Sequence, residues 1–469
     1  MKKYIPFTIA FALFMQTLDS TIISTAIPTI AESLQTTPIN LKFALTSYLI
    51  SLAIFIPISG WFADNFGTKK IFICSLLLFT LGSFFCGIAA TLSHLVIARI
   101  IQGVGGALML PVGRLILLKS FPKTELIKVT NYATIPSLIG PALGPVIGGV
   151  IVSYVSWRWI FFVNIPFGIA GALLAAKVLT THIYKQKEKL DFIGFVLFAI
   201  GLAGFSFVLS AFNESIISNT ILLGVFALSI VFIFTYCVHA HYIKHPFIDI
   251  SLFKIRTFGA TVIGSFFSRG GIGGMSFLLP LFFQLSLDKT AMHSGIILSF
   301  YATGMLSIKF FVRPILKLCG FKNLLIVNTF TLGLSVLVFC FITIHSSTVF
   351  IILAVFIHGA LTSLQFSGMN VLAFLDLNEH NISKGTSLAT AIQQLSMSLG
   401  ISISALILSV LLGATNPFHI DALIFHKTFF IMGMVTMLSS FLFMFLHKHD
   451  GNEASGYKIE LAEAGVVKR

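Results

Sequence analysis

One carboxylate lies deep in an apolar stretch near the start of the chain. Asp19 occurs in "LDSTIISTAIP", near the centre of the apolar run formed by residues 7–30. A charge at the centre of a bilayer costs at least about 2.5 kcal/mol, so such a residue usually has a function. Burial disfavours the charged form of a carboxylate, which makes proton uptake near neutral pH feasible. We therefore interpret Asp19 as a proton-coupling group, with a polar contact between helices as the alternative.

Basic residues also lie inside apolar runs. Arg99 and Gln102 are three residues apart in "ARIIQGVGGA", so a helix would place them on about the same face. We expect Arg99 to pair with Asp19 or with a substrate anion, although an arginine there could also extend its side chain to the membrane surface. Gln102 is predicted to line the substrate cavity.

Two further bases occur in the second half of the chain. Arg269, in "SFFSRGGIGGM", lies too deep to reach the membrane surface easily, whereas Lys309 lies near the end of its run. We assign both to the substrate cavity, and for Lys309 a surface-directed side chain is the favoured alternative. One deep acid against two or three deep bases favours a neutral or anionic substrate over a cation.

Several uncharged polar residues of the later runs are additional cavity candidates. Hydrogen bonding between helices explains the amides equally well, and a lone intramembrane histidine is more often structural than functional. The candidates are His358, Gln365, Asn370 and Gln393.

The sequence lacks the common signatures of enzymes. It has no ATP-binding loop, no zinc-type His/Glu pair and no nucleophile elbow, and its five cysteines have neither metal-ligand nor CxxC spacing. We therefore predict no enzymatic activity, no metal site and no cofactor. Any energy input must then come from an ion gradient.

The elements that hold these residues are predicted to be transmembrane helices. The 469 residues are 57% hydrophobic and 10% charged, with a mean hydropathy of +0.99, whereas soluble domains carry about 25% charged residues. Apolar runs of about 20 residues recur along the whole chain. They predict an all-α polytopic membrane protein with fourteen spans, at residues 7–30, 43–63, 70–91, 94–118, 130–154, 159–179, 191–212, 216–238, 257–283, 291–312, 322–343, 347–372, 384–412 and 422–446.

The positive charge indicates topology rather than nucleic-acid binding. Most of the 30 Lys and Arg residues lie in connections on one side of the predicted membrane, the side that also holds both ends of the chain. Because cytoplasmic loops are enriched in Lys and Arg, both termini are predicted to be cytoplasmic.

An internal repeat suggests how the spans are grouped. "GWFADNFGTKKIF" and "KLCGFKNLL" both turn at a glycine, Gly67 or Gly320, and place a lysine two residues later, Lys69 or Lys322. Duplicated halves are a common plan of transporters. We predict a six-helix bundle at residues 1–182, two inserted helices at 183–250, a second six-helix bundle at 251–446 and a disordered cytoplasmic tail at 447–469.

The segment "GPALGPVIGGV" is rich in residues that weaken helices. Gly140, Gly144 and Gly148 recur every four residues, which would give one smooth helix face for close packing. Pro141 and Pro145 lie on the adjacent face and are tolerable in a membrane, where neighbouring helices satisfy freed backbone groups. We expect this helix to seal the path between the bundles and to act as a hinge.

Four motifs together resemble the major facilitator superfamily, and within it the fourteen-helix drug:proton antiporter branch (EmrB/QacA-like), most closely the MdtD/HsrA group. They are "LDSTIISTAIP", "GWFADNFGTKK", "ARIIQGVGGA" and "GPALGPVIGG", and "SWRWIFFVNIPFG" adds a further similar stretch. The resemblance implies a proton-coupling role for Asp19 and Arg99. It also implies a gating loop and an antiporter motif, the former at Gly60, Asp64, Gly67 and Lys69 and the latter at Gly140, Pro141, Gly144, Pro145, Gly148 and Gly149.

The sequence departs from that family in ways that bear on specificity. The loop motif usually has basic residues where Asn65 and Thr68 stand, so the latch that the loop forms in outward-facing members is expected to be weaker here. The acids that some drug exporters of this branch carry in later spans are absent, which weakens the expectation of multidrug specificity more than that of transport.

Together these features predict a proton-coupled secondary exporter in the bacterial cytoplasmic (inner) membrane. It would move small molecules such as drugs by alternating access, work as a monomer in the lipid bilayer, and bind protons and substrate but no nucleic acid. One alternative is a dedicated exporter of an endogenous organic anion or metal chelate. Another is a membrane sensor or assembly partner that does not transport.

Overall fold

All regular elements of the described chain are helices. The computed structural model describes residues 4–122, 125–180, 190–212, 218–243, 246–413 and 416–455. We number the long helices α1 (Ile5–Ser33), α2 (Pro38–Phe55), α3 (Thr68–Gly87), α4 (Leu92–Ser120), α5 (Leu126–Tyr154), α6 (Trp159–Val178), α7 (Phe192–Ala211), α8 (Asn219–Tyr242), α9 (Arg256–Leu285), α10 (Ala291–Phe310), α11 (Val312–Phe341), α12 (Thr348–Leu372), α13 (Glu379–Leu412) and α14 (Ala422–Phe445). Short helices lie at Ser59–Phe66 and Asn452–Ser455.

Thirteen of these helices are long and apolar enough to cross a membrane. The helix α5 contains a shorter apolar part among the described residues, Ile139–Tyr154. The prediction of an all-α polytopic protein is confirmed. The predicted boundary between residues 182 and 183 and most of the predicted tail lie outside the described residues.

Polar residues mark where several helices begin. The side chains of Thr91, Asp191 and Ser347 accept hydrogen bonds from the backbone N–H three residues later, at 3.2, 2.8 and 3.2 Å. Such caps satisfy N–H groups that a helix leaves unpaired at its first turn. Short capped turns therefore separate consecutive apolar helices.

The helices pack in two sets with the same pairing pattern. In the first half α1 packs on α5, α2 on α4, and α3 on both α4 and α6. In the second half α9 packs on α13, α10 on α12, and α11 on both α12 and α14. Each of these contacts thus recurs eight helices later in the chain.

The predicted repeat is also visible in atomic detail. Gly67 and Gly320 both have positive φ, 89° and 71°, which places a sharp turn before α3 and within α11. The Nζ of Lys69 donates to the carbonyl oxygen of Ala176 near the end of α6 at 2.6 Å, and that of Lys322 donates to Met444 near the end of α14 at 2.9 Å. A cation at a helix C-terminus is favourable, and both halves use one.

The two inserted helices lie at the edge of the protein. They pack on each other, and α7 also packs on α2 and α13. Only Leu222, Ser229 and Tyr236 are buried in α8. Most of the surface of α8 therefore faces away from the rest of the chain.

The bundles are joined by apolar contacts mainly at one end. There α5 packs on α10, α2 packs on α13, and one cluster contains residues of both halves, among them Ile27, Trp157, Phe282 and Phe425. Towards the end that holds Gly67 and Gly320, the two larger clusters are each confined to one half, and a smaller cluster of Ala53, Ile54 and Leu202 also packs against Leu395 of α13. The described bundles are thus sealed together at the end away from the α2–α3 connection.

Candidate functional site

Asp19 lies at the centre of a buried polar cluster in the first bundle. Its Oδ2 accepts a hydrogen bond from Nη1 of Arg99 at 2.6 Å. Its Oδ1 accepts from Nε2 of Gln102 and from Nδ2 of Asn164, both at 2.8 Å. None of these four residues is more than 1% exposed. The carboxylate is therefore surrounded by donors and separated from solvent.

The donors are themselves held by neighbouring groups. The hydroxyl of Ser83 accepts from Gln102 at 3.2 Å and from Asn164 at 3.0 Å, and donates to the carbonyl oxygen of Phe161 at 3.0 Å. Nη1 of Arg99 also donates to Oε1 of Gln102 at 2.7 Å. These bonds fix the orientation of both amides towards Asp19.

The guanidinium of Arg99 has further partners on α2. Its Nε donates to the carbonyl oxygen of Ala44 at 3.3 Å, and its Cζ lies 4.1 Å from the ring centre of Tyr48. A guanidinium over an aromatic face gains a cation–π interaction. Side chains or carbonyls from α1, α2, α3, α4 and α6 thus meet at one buried ion pair.

Small residues allow this convergence. A β-carbon on Gly82 of α3 would lie 2.6 Å from the backbone of Gln102, and one on Gly105 of α4 would lie 2.5 Å from the backbone of Phe79. Close backbone approach is the usual role of glycine between membrane helices. It brings Ser83 within hydrogen-bonding distance of Gln102.

The glycine-rich stretch "GPALGPVIGG" of α5 packs against the same part of α1. β-Carbons on Gly140, Gly144 and Gly148 would overlap atoms of α1 at Thr17, Thr21 and the segment from Ile22 to Thr25. The smooth glycine face predicted from the four-residue spacing is therefore present, and it lies alongside Asp19. Any shift of α1 relative to α5 must change this contact.

The motif also reaches the second bundle. A β-carbon on Gly149 would lie 2.5 Å from the carbonyl oxygen of Ala291, and one on Gly295 of α10 would overlap the carbonyl of Pro145. The two helices therefore touch backbone to backbone across the bundle interface. This contact supports the predicted sealing role of α5.

A cavity lies between the bundles beside the ion pair. This central cavity has a volume of about 120 Å³ and is lined by residues of α1, α2, α5, α9, α10 and α12. Ser20 and Thr21, the residues that follow Asp19, form part of its wall, as do Pro141, Pro145 and His358. None of its fourteen described lining residues is charged.

Three of the other predicted cavity residues form a separate polar group within the second half of the chain: Arg269, Asn370 and Gln393. Oδ1 of Asn370 accepts from Nη2 of Arg269 at 2.8 Å and from Nε2 of Gln393 at 3.3 Å. Nε of Arg269 donates to Ser265 at 2.8 Å, and its Cζ lies 4.0 Å from the ring centre of Phe366. Arg269 is 4% exposed, and its three partners Asn370, Ser265 and Phe366 are all uncharged.

The remaining predicted cavity residues lie elsewhere. Gln102 belongs to the Asp19 cluster because it hydrogen-bonds to that carboxylate. Gln365 is fully buried between α11 and α12, where it accepts from Asn328 at 2.8 Å and donates to Thr329 at 2.6 Å. Lys309 is exposed and donates to Ser367 at 3.1 Å. Gln365 thus bonds between two helices, and its assignment to the substrate cavity stays a prediction.

The predicted gating loop contacts α4 and α6 in this conformation. Asp64 lies 3.6 Å from Lys119 of α4, and a β-carbon on Gly60 would meet no atom within 4 Å. Lys69 makes the helix-end contact described above.

Sequence reasoning missed Asn164, Ser83 and Tyr48. Asn164 lies in the quoted stretch "SWRWIFFVNIPFG", where an amide inside an apolar run was a usable signal. It begins the longer part of α6, directly after the interruption at Val163. Ser83 and Tyr48 carried no comparable signal, since hydroxyl residues are common in these helices.

Comparison with known families identifies the chain. The family described as Major Facilitator Superfamily matches residues 9–401 and, in a second alignment, residues 261–463. The chain belongs to this superfamily. It is 36% identical to proteins of Escherichia fergusonii and Escherichia coli named "Putative multidrug resistance protein MdtD", over 93% of this chain and 93% of each relative.

Solved structures show the same fold at low sequence identity. A D-xylose-proton symporter superposes with a TM-score of 0.68 at 15% identity, covering 95% of this chain and 98% of that one. A bacterial homologue of the human lysosomal transporter Spinster, in an inward-facing and unoccupied conformation, gives 0.64 at 13% identity, covering 94% and 98%. The protein is accordingly a multi-pass transporter of the bacterial cytoplasmic membrane and not an enzyme.

Proposed function

We propose that this protein is a proton-coupled exporter of small molecules that works by alternating access. The observation that supports this most directly is the position of Asp19. This carboxylate is fully buried against Arg99, and the next two residues of α1 line the central cavity. The proposed proton site and part of the cavity wall are thus neighbouring residues of α1, so a movement at one would also move the other.

The proposal includes a topology of fourteen spans with both termini in the cytoplasm. α5 then serves as the fourteenth span, and residues 1–182 and 251–446 form the two bundles around the inserted segment 183–250. The basic connections, including Lys69 and Lys322, face the cytoplasm in this orientation. In the proposed orientation the apolar contacts between the bundles would lie on the outer side, which would make this an inward-facing state.

Protonation of Asp19 is the proposed coupling step. It would remove the negative charge that compensates Arg99, and a buried charge without a partner is costly. The hydrogen bonds that Gln102 and Asn164 donate to Asp19 would also weaken, because an ionised carboxylate is a stronger acceptor than a neutral carboxyl group. Relief of this cost by a shift of α1 against the glycine face of α5 would favour one conformation over the other. The proton gradient would supply the energy, without a cofactor.

The direction and breadth of transport are inferred from the relatives. Their name associates them with multidrug resistance, and export of drugs fits a cavity lined mainly by apolar and hydroxyl side chains. In this scheme the protein acts as a monomer in the bilayer, with protons and small molecules as its only required ligands.

A second candidate function is a dedicated exporter of an organic anion or metal chelate. Arg269 supports it, since this buried arginine hydrogen-bonds only to uncharged described residues, and its partner Asn370 is exposed. An anionic substrate would supply the missing negative charge.

Proton release in liposomes tests the coupling proposal. The full-length protein is reconstituted with a pH gradient and a pH-sensitive dye, and cationic, neutral and anionic compounds are added in turn. We expect at least one compound to dissipate the gradient with wild-type protein and with Asp288→Asn, an exposed loop acid that serves as the matched control. Asp19→Asn should show no compound-dependent release. Wild-type rates in Asp19→Asn would reject the assignment, and anion-only activity would favour the second candidate.

A further inference from the structure

His358 presents an unused nitrogen to the central cavity. It lies on α12, is 1% exposed and forms part of the cavity wall. Its Nδ1 lies 2.8 Å from the hydroxyl of Ser335 on α11, whereas its Nε2 has no hydrogen-bond partner. A buried polar atom without a partner is unfavourable unless a ligand satisfies it.

The hydrogen-bond pattern fixes which nitrogen carries the proton. Ser335 donates its hydroxyl hydrogen to the carbonyl oxygen of Leu332 at 2.6 Å. It can therefore only accept from the imidazole, which places the hydrogen of a neutral ring on Nδ1. Nε2 of His358 is then a lone-pair acceptor on the cavity wall.

The serine and threonine hydroxyl groups of the cavity wall donate their hydrogens to the backbone. Ser20 donates to Thr17 at 2.8 Å, Ser24 to Thr21 at 2.7 Å, and Ser276 to Gly273 at 2.6 Å, in each case to a backbone carbonyl. Thr21 donates to the carbonyl of Thr17 at 3.0 Å. These side chains can accept hydrogen bonds from a ligand, but they have no hydrogen left to give.

Tyr301 is the remaining polar side chain of the cavity wall. Its ring centre lies 5.8 Å from that of His358, with 36° between the ring planes. A phenol hydroxyl can donate or accept a hydrogen bond. Among the described polar side chains of the wall, Tyr301 is thus the one that can also donate to a ligand.

We propose that the central cavity binds a neutral, mainly apolar molecule through an O–H or N–H group that donates to Nε2 of His358. The apolar wall suits the body of such a ligand, and the free acceptor sets its orientation. An anion would find a single neutral donor, the Tyr301 hydroxyl, on the described wall, and an anion or a cation would be desolvated there without a counter-charge. This inference names a substrate class for the proposed exporter and rests on that function, but ligand binding does not require proton coupling.

The tautomer can be measured directly. Full-length protein with ¹⁵N-labelled histidine is placed in lipid nanodiscs, and the signal of His358 is assigned by its loss in His358→Gln. We expect a protonated Nδ1 and a bare Nε2, and loss of this preference in Ser335→Ala. A hydrogen on Nε2 in the wild-type protein would overturn the proposal.

A matched set of ligands tests recognition. The probes are 1-naphthol, its methyl ether, 1-naphthoate and 1-naphthylmethylammonium, whose binding is measured by equilibrium dialysis against the nanodiscs. We expect 1-naphthol to bind about fivefold to tenfold more tightly than its methyl ether, the ratio that one neutral hydrogen bond provides, and to shift the Nε2 signal. This preference should vanish in His358→Phe and persist in His293→Phe, a control at an exposed histidine.

The outcomes separate this inference from the function itself. Equal binding of 1-naphthol and its methyl ether, including no measurable binding of either, overturns the proposed role of His358, as does tighter binding of the anion or cation. Asp19-dependent proton release in liposomes would survive that result. Loss of proton release with an intact 1-naphthol preference would instead remove the exporter proposal and leave the binding site.

Discussion

Arg99 and Asp19 form a fully buried ion pair, with Nη1 of the arginine 2.6 Å from Oδ2 of the carboxylate. The pair connects α4 to α1 and is held by Gln102 and Asn164, which both donate to the other carboxylate oxygen. A buried ion pair adds little net stability, because the cost of removing both charges from water offsets most of their attraction. Its main effect is to restrict how the two helices can be arranged. Its two members should therefore behave very differently when removed singly and together.

We predict strong non-additivity between Asp19→Leu and Arg99→Met. Either single change leaves an uncompensated buried group and should cost about 3–5 kcal/mol of stability, whereas the double change should recover most of that loss. Thermal unfolding of the purified proteins in detergent measures the cycle. Proton-coupled transport should be absent from all three variants. Additive losses in the double variant would show that the two side chains do not act as a pair.

Asn164 is predicted to matter for coupling as well as for stability. Asn164→Ala removes one of the donors to Oδ1 of Asp19 and should cost about 1–3 kcal/mol. Asn328→Ala, at a buried amide between α11 and α12, serves as the control because it removes comparable hydrogen bonds away from Asp19. Both variants should unfold at lower temperature, but only Asn164→Ala should change the ratio of protons released to substrate transported. Equal ratios would limit Asn164 to a structural role.

The glycine face of α5 should be intolerant of a single added carbon. A β-carbon on Gly144 would overlap the Thr21 hydroxyl, so Gly144→Ala should cost about 1–3 kcal/mol and slow transport. Adding Thr21→Ala should restore part of the loss by making room. Gly224→Ala on α8, where a β-carbon meets nothing within 4 Å, should be neutral or slightly stabilising. Unfolding temperatures decide the matter, and wild-type behaviour of Gly144→Ala would contradict the packing argument.

The parts of this molecule that sequence could predict are those determined locally. A helix satisfies its own backbone groups in lipid, so apolar length alone predicts where spans such as α4 occur. The turns at Gly67 and Gly320 were predictable because only glycine readily adopts positive φ. Opposite charges deep in two spans have few ways to be compensated, which is why the proximity of Asp19 and Arg99 was foreseeable.

The remaining features depend on how the helices are rotated and paired. Gln365 and Gln393 are both amides in apolar runs, yet one is fully buried between α11 and α12 and the other bonds to Asn370 beside Arg269. Nothing in their local sequence distinguishes these environments. Ser83 and Tyr48 became recognisable only when five helices were seen to meet at Asp19.

The repeated lysine contacts predict equal effects in the two halves. Lys69→Met and Lys322→Met each remove a donor to the last turn of a helix and should cost about 0.3–1 kcal/mol. Lys70→Met, at the exposed neighbour of Lys69, should have no effect on the unfolding temperature. Loss of stability in only one half would argue against equivalent packing of the two bundles.

Asp191 is predicted to make the stability of the α7–α8 pair depend on pH. It accepts from His239 at 2.8 Å and from the backbone N–H groups of Gly194 and Phe247 at 2.8 and 3.0 Å. Partial burial alone would raise the pKa of this carboxyl, but these donors outweigh burial and hold its pKa below the ordinary value. Its stabilisation is therefore complete above the ordinary aspartate pKa of about 3.9 and is lost as pH falls through the lower folded value.

Thermal unfolding of wild type and Asp191→Asn between pH 3 and pH 7 tests this directly. At pH 6–7 the variant should unfold at lower temperature, because the amide is a weaker acceptor for the three donors. The difference should shrink below about pH 4, as the wild-type carboxyl takes up its proton. Asp288→Asn, at an exposed loop acid, should track wild type across the range. A difference that does not change with pH would mean that the Asp191 side chain acts through packing and not through its charge.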